Sequence, residues 1–378
     1  MTYLILLILL CSGVLFQQLF DDSINRKIYY SLLLVLSVFL IFRYGQGTDY
    51  FGYKSIFNYI INTNGNEIFA SDLHTEFGFK IIILVLKSLY LPFEVLIGLF
   101  AVISMFLTHK AIVKFVSLKY SALALLLLFP TVYLTYFYSG IRQGLVIALF
   151  ISTLLPALLE KSYVKYYLIC LFGVSMHFSS FLLLFVPLIS ILDRKGFVII
   201  FLASVLFLAL SAITDLWQFL YLKTNFLYFG SSGLSLFGLL DRLAMAIFII
   251  VIAKEQSDIP LKLQMLIKIY FVGFCLAMAF AYVPLLSHRI TAPLKALEII
   301  LVPSLFSISN SNVKNYKKNA IPAVIFVIIL YCCVFTVKNI HSYIDQQNYV
   351  NTNILSYPYI SVFSRDKILN VLPEFIEP

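Results

Sequence analysis

Twelve apolar runs, at about 2–18, 29–42, 76–90, 92–108, 120–138, 142–159, 163–192, 197–217, 236–253, 263–283, 289–306 and 320–337, leave this chain little room for anything but a membrane. Most approach the roughly 20 residues a helix needs to cross the hydrocarbon core. They are rich in Phe, Ile and Leu without alternation, so helices fit and barrel strands do not. Charged residues make up only 12% of the chain, about half the share of a soluble domain. That excludes a soluble domain of any size. The expected fold is all-α: a polytopic transmembrane bundle of about 11–13 helices with room for re-entrant segments. It forms one integral membrane domain over 1–378, with longer loops at about 43–75 and 218–235 and a polar tail at 338–378. The opening run lacks a basic stretch, and no small residue precedes Cys11, so it reads as the first membrane helix.

Two runs stand apart. The one from Glu76 is short and holds two lysines, Lys80 and Lys87, which suits an interfacial or re-entrant segment. The one at 163–192 is long for a single span even when tilted, and it carries Ser175, His177, Ser179 and Ser180 in its middle. A break near His177 predicts two shorter helices. With a dip at Glu76 and a break at His177, the loops alternate cleanly. Arg26, Lys27, Lys110, Lys114, Lys119, Lys161, Lys165, Arg194, Lys195, Lys254, Lys262, Lys314, Lys317 and Lys318 then share one side, which is the cytoplasmic one by the positive-inside rule. The net charge of +9 is thus explained by loops and does not call for nucleic acid. The five cysteines all lie inside apolar runs without metal-ligand spacing or a loop pair suited to a disulfide.

Four polar clusters carry the candidate chemistry. The lip FRYGQGTDYFGY brings Arg43, Asp49 and Tyr50 to a helix end, and its glycine spacing is not that of a dinucleotide fingerprint. The turn YLTYFYSGIRQG holds Arg142 with no acid nearby in sequence, and Gln143 beside it. An arginine held inside a bundle is costly and normally has a purpose, and its planar fork suits phosphate. GVSMHFSSF supplies His177, which titrates near neutral pH and can serve as a base. PLLSHRITAPLKALE supplies His288 and Arg289. There Lys295 and Glu298, three apart, are expected to pair on one helix face, and Asp241 to neutralise the adjacent Arg242. Zinc spacings, P-loops, G-x-S-x-G and loop DxD pairs do not occur, which argues against an ATP-driven pump.

Taken in order, FRYGQGTDYFGYKSIF, the E-x-G-F start at Glu76, SGIRQG, MHFSS, SHR and the YPY of Tyr357 and Tyr359 resemble the EpsG-type members of the Wzy polysaccharide polymerases. The resemblance runs over nearly the whole chain. It implies a glycosyltransferase of the bacterial inner membrane, working at the periplasmic face. The growing glycan would leave undecaprenyl diphosphate and join the next lipid-linked repeat unit, with no nucleotide, metal or other cofactor. Partners would be the undecaprenyl-diphosphate-linked oligosaccharide, the bilayer, and a chain-length regulator and flippase of the same pathway. On this reading Arg142 and Arg289 stabilise the leaving diphosphate, with Arg43 third. His177 is the base with Asp49 second. Tyr50, Glu76, Gln143, His288, Tyr357 and Tyr359 bind substrate. A transporter or flippase of glycan precursors competes through Asp241, Arg289 and Glu298 as an ion relay, but no two-fold repeat supports it. A membrane acyltransferase built on His177 and Arg142 is the third alternative.

Overall fold

The computed structural model describes residues 1–63, 68–69, 75–214, 216–224, 233–254, 256, 258–312, 321–346 and 352–370. Among them, ten helices are long and apolar enough to cross a membrane: Thr2–Leu19, Asp22–Ile41, Phe93–Phe115, Leu118–Phe137, Ile141–Leu159, Arg194–Ile213, Leu236–Lys254, Leu261–Ala279, Pro284–Ile308 and Pro322–Gln346. Ten is fewer than the sequence suggests, and the two runs that fall short are the two anomalous ones. The helix from Phe77 ends at Ser88 after 12 residues, about 18 Å at the α-helical rise, which is too short to span. The long run breaks where expected. Helix Tyr163–Met176 stops at His177, whose backbone is extended at φ −158° and ψ 122°, and the chain continues as a 3-10 helix over Phe178–Ile191. Ser180 Oγ donates to the carbonyls of Gly173 at 3.0 Å and His177 at 2.5 Å, and the Tyr166 hydroxyl to Leu183 O at 2.5 Å. These hydroxyls satisfy backbone groups that the break would otherwise strand in lipid. Among the described residues, these two arms are shorter apolar helices that stand beside the ten long ones.

Three spans form the middle of the bundle. Leu118–Phe137 has 89% of its span enclosed by protein, and Ile141–Leu159 and Pro284–Ile308 have 83% each, against 11% for Arg194–Ile213 and 22% for Leu236–Lys254. The first central span widens into π-helical turns over Phe129–Phe137, starting beside Pro130, which has no N–H to give an α-helical bond. The Tyr138 N–H reaches back five residues to Tyr133 O at 3.0 Å.

Contacts between loops sort them onto two ends, matching the division by charge. At the basic end Gln17 donates to Asn25 O and Ser121 Oγ, both at 3.0 Å, and Lys114 pairs with Glu160 at 2.7 Å. Ser304 donates to Phe115 O at 2.7 Å. Lys314, Lys317 and Lys318 lie outside the described residues. At the opposite end the Tyr44 N–H bonds Ile360 O at 2.9 Å, Arg365 pairs with Glu94 at 3.1 Å, and Arg142 meets Glu76.

The stretches expected to be loop are more ordered than composition suggests. Within 43–75 lies helix Tyr50–Asn62, which buries Tyr50, Tyr53, Lys54, Phe57 and Ile60. Helix Leu216–Thr224 occupies the start of the 218–235 stretch. The tail stays helical to Gln346, then returns to bury Tyr357 and Ile360. The lip before Tyr50 can sit this close to the bundle only because of Gly47, which has φ +97° and would place a Cβ 2.2 Å from Tyr138 O. Gly47→Ala is expected to lower stability by about 2 kcal/mol or more through combined strain and clash, read as a fall in the unfolding temperature of the detergent-solubilised protein.

Candidate active site

The site is assembled around Glu76, which caps the start of the short helix Phe77–Ser88. Gly78 lets that helix press against Tyr163–Met176, since a Cβ there would lie 2.2 Å from Met176 Cε and 2.6 Å from Ser175 Oγ. The approach carries the Glu76 carboxylate to the helix break. Oε1 accepts from His177 Nδ1 and from the Phe178 N–H, both at 3.0 Å, so it caps the 3-10 helix as well as holding the imidazole. Oε2 accepts from Arg142 Nη1. The acid that Arg142 lacks nearby in sequence therefore sits 66 residues upstream.

Burial alone would raise the Glu76 carboxyl. The hydrogen bond from His177, the Arg142 charge and the Phe178 N–H outweigh it and hold the group at about 2, below the ordinary 4.5. A carboxylate only accepts, so His177 Nδ1 carries a hydrogen, and in the neutral ring Nε2 then holds the lone pair. Nε2 is buried and meets no hydrogen-bond partner among the described residues. Leaving such a group unpaired costs about 1–3 kcal/mol, which a bound hydroxyl would relieve. A depressed carboxyl pKa contributes stability that is full above about 4.5 and lost as pH falls toward about 2. The difference in unfolding temperature between wild type and Glu76→Gln should therefore be the same at pH 7 and pH 5. A difference already shrinking at pH 5 would show that the carboxylate is not held this way.

Arg142 opens helix Ile141–Leu149, where a cation opposes the helix dipole. Glu76 compensates, and the guanidinium also lies 5.4 Å from the Tyr53 ring and 5.3 Å from the Phe79 ring. Asp49 is within electrostatic reach of both Arg142 and Tyr53. Tyr53 itself is pushed up by burial, with Arg142 and Arg289 opposing. Sequence reasoning selected Tyr50 from this lip and missed Tyr53. Residues three apart share one helix face, so spacing alone gave no reason to prefer one of these tyrosines over the other.

A second polar group lies on the far side of the Ser139–Gly140 turn. Gln143 Nε2 donates to Arg289 O at 2.5 Å, so its amide ties two helices together. His288 Nδ1 shares a 2.6 Å hydrogen bond with the Tyr136 hydroxyl, and the two rings stack. The expected Lys295–Glu298 pair is not formed, because the helix ends at Lys295 and restarts at Glu298. Lys295 pairs instead with Asp241, and Glu298 accepts from the Tyr270 hydroxyl at 2.8 Å. Arg242, expected to be neutralised by Asp241, donates to Thr291 Oγ1 at 2.9 Å.

The remaining candidates are engaged in packing. Arg43 is 1% exposed and donates to Leu40 O, Phe137 O and Tyr138 O at 2.8, 2.9 and 3.2 Å. Tyr50 packs edge-on against Tyr44, Phe51 and Phe93. Tyr357 lies against Tyr3, and Tyr359 donates to Phe39 O at 3.1 Å. Membrane-interface tyrosines commonly have an apolar body and one satisfied hydroxyl, and nothing in the sequence distinguishes that use from sugar binding.

Residues 26–361 match the model of the EpsG family, a stretch that takes in Asp49, Glu76, Arg142, His177 and Arg289. No curated protein and no solved structure matches the chain.

Proposed function

Because this chain belongs to the EpsG family, we propose that it polymerises lipid-linked oligosaccharide repeat units at the outer face of the bacterial inner membrane. The basic loops would face the cytoplasm, and the Glu76 cluster would then open to the side where exported glycan precursors collect. The observation that carries the reading is a histidine oriented by a carboxylate, its other ring nitrogen without a partner among the described residues, beside an arginine at the same end of the bundle.

In the proposed reaction His177 Nε2 takes the proton of a sugar hydroxyl on the incoming lipid-linked unit. That oxygen attacks the anomeric carbon of the growing chain. The bond from this carbon to undecaprenyl diphosphate breaks, and the diphosphate leaves with the electron pair. Glu76 stays ionised throughout, fixing the imidazole and stabilising it once protonated, as carboxylates do for catalytic histidines generally. Arg142 holds Glu76, and Arg289 supplies positive charge near the leaving group. The energy resides in the sugar–diphosphate bond, so a nucleotide is unnecessary.

Deletion of the gene tests this directly. Surface glycan sized on a gel should collapse from a ladder to single repeat units and recover with the wild-type gene. Complete loss of glycan would instead indicate flipping or precursor supply. An unchanged ladder would rule out polymerisation of that glycan.

A further inference from the structure

The proposed chemistry leaves unused a cavity of about 70 Å³ whose walls include Thr135, Tyr136, Arg242, His288, Lys295 and Lys338. It sits between the π-helical turns of Phe129–Phe137 and the spans Leu236–Lys254, Pro284–Ile308 and Pro322–Gln346. Its charges do not balance. Both oxygens of Asp241 are engaged, one by Lys295 and one by the Tyr331 hydroxyl at 2.9 Å. Arg242 is buried with the neutral Thr291 as its hydrogen-bond partner. Lys338 lies 4.4 Å from the Phe237 ring and has no carboxylate within ion-pair distance among the described residues. Across the cavity three cations, Arg242, Lys295 and the exposed Lys338, thus face one lining carboxylate, Asp241. Surplus positive charge inside a membrane domain is expensive unless an anion offsets it. Arg142, first in line for that anion on sequence grounds, is already paired with Glu76.

We propose that this cavity is a diphosphate-binding site formed by Arg242, Lys295 and Lys338. Resting on the polymerase reading, it would hold the diphosphate of the lipid-linked donor. A guanidinium offers a planar fork to phosphate oxygens and the two ammonium groups act as point charges. The Tyr136–His288 pair and the Gln143–Arg289 bond connect this cavity to the helix that begins at Arg142. Donor phosphates and acceptor hydroxyl would thus occupy two separate polar clusters at one end of the bundle.

The test is thermal stabilisation of the purified full-length protein in detergent, titrated with inorganic pyrophosphate, farnesyl diphosphate and farnesol. Both diphosphates should bind and farnesol should not. Lys338→Gln should weaken both at least tenfold, while His177→Ala binds them as wild type does. Tighter binding of farnesyl diphosphate, with the same dependence on Lys338, would identify a lipid-linked ligand; equal binding would identify recognition of phosphate alone. Unchanged affinity in Lys338→Gln and Arg242→Gln overturns the site. The exposed Lys338 carries the test if Arg242→Gln does not fold. Lys338-dependent binding by a protein that restores no ladder would keep the site and remove the polymerase reading. A ladder restored by a Lys338→Gln variant of unchanged affinity would do the reverse.

Discussion

Cells carrying His177→Ala are expected to display single repeat units in place of a polymer ladder, at wild-type levels of membrane-inserted protein. This large effect follows from where the imidazole sits. It ends one helix and begins another, so its removal disturbs no continuous run of backbone hydrogen bonds. Its Nε2 has no structural partner among the described residues to lose. A positioned general base commonly contributes about 10²–10⁴ in rate, enough to move elongation below detection on a gel. Glu76→Gln should fall between this variant and wild type. An amide can still meet the imidazole, but it can present its NH₂ to Nδ1 and so stabilise the other tautomer. The rate should drop while the pH profile of residual activity changes, which a purely structural role would not produce. A full ladder from inserted His177→Ala would remove the histidine from the chemistry.

Arg142 is expected to affect folding as well as turnover, and this separates it from His177. Arg142→Ala leaves Glu76 with His177 and Phe178 but without its counter-charge. Glu76→Ala leaves the guanidinium between the Tyr53 and Phe79 rings. Breaking one member of a buried pair typically costs about 3–5 kcal/mol. These side chains retain 15% and 21% exposure, so about 2–3 kcal/mol is the better figure here. The double variant Arg142→Ala/Glu76→Ala should be more stable than the sum of the single losses by at least about 1 kcal/mol, yet make no polymer. Unfolding temperatures of the four proteins measure the coupling. Strict additivity would mean that the two side chains do not act as a pair.

The membrane character of the chain, and the two runs that would not span, were legible because hydropathy and length act locally. The break at His177 was legible for the same reason, since hydroxyls and a histidine crowd the middle of one overlong run. Glu76 entered only through the resemblance. Arg142 was read as open to phosphate because no acid lies near it in sequence, whereas its bond to Glu76 across 66 residues is set by how helices pack and leaves no local trace. The Lys295–Glu298 expectation failed for a definable reason: the three-residue rule assumes one continuous helix, and the turn at Ala296 and Leu297 resets the register. Tyr357, Tyr359 and Arg43 take up packed positions that the sequence did not foretell, because a polar tip on an apolar body serves a packed interface as well as a ligand.

The contrast between enclosed and outer spans also sets how freely this chain can drift. One aliphatic residue exchanged for another on the outward face of Arg194–Ile213 swaps one lipid contact for another and changes almost nothing. The same exchange in Leu118–Phe137 opens a void or forces a clash next to the residues that aim Arg142. Two descendants of one ancestor could therefore differ over most of their outer helices while still carrying out the same reaction, so overall identity would underestimate how closely related their chemistry is.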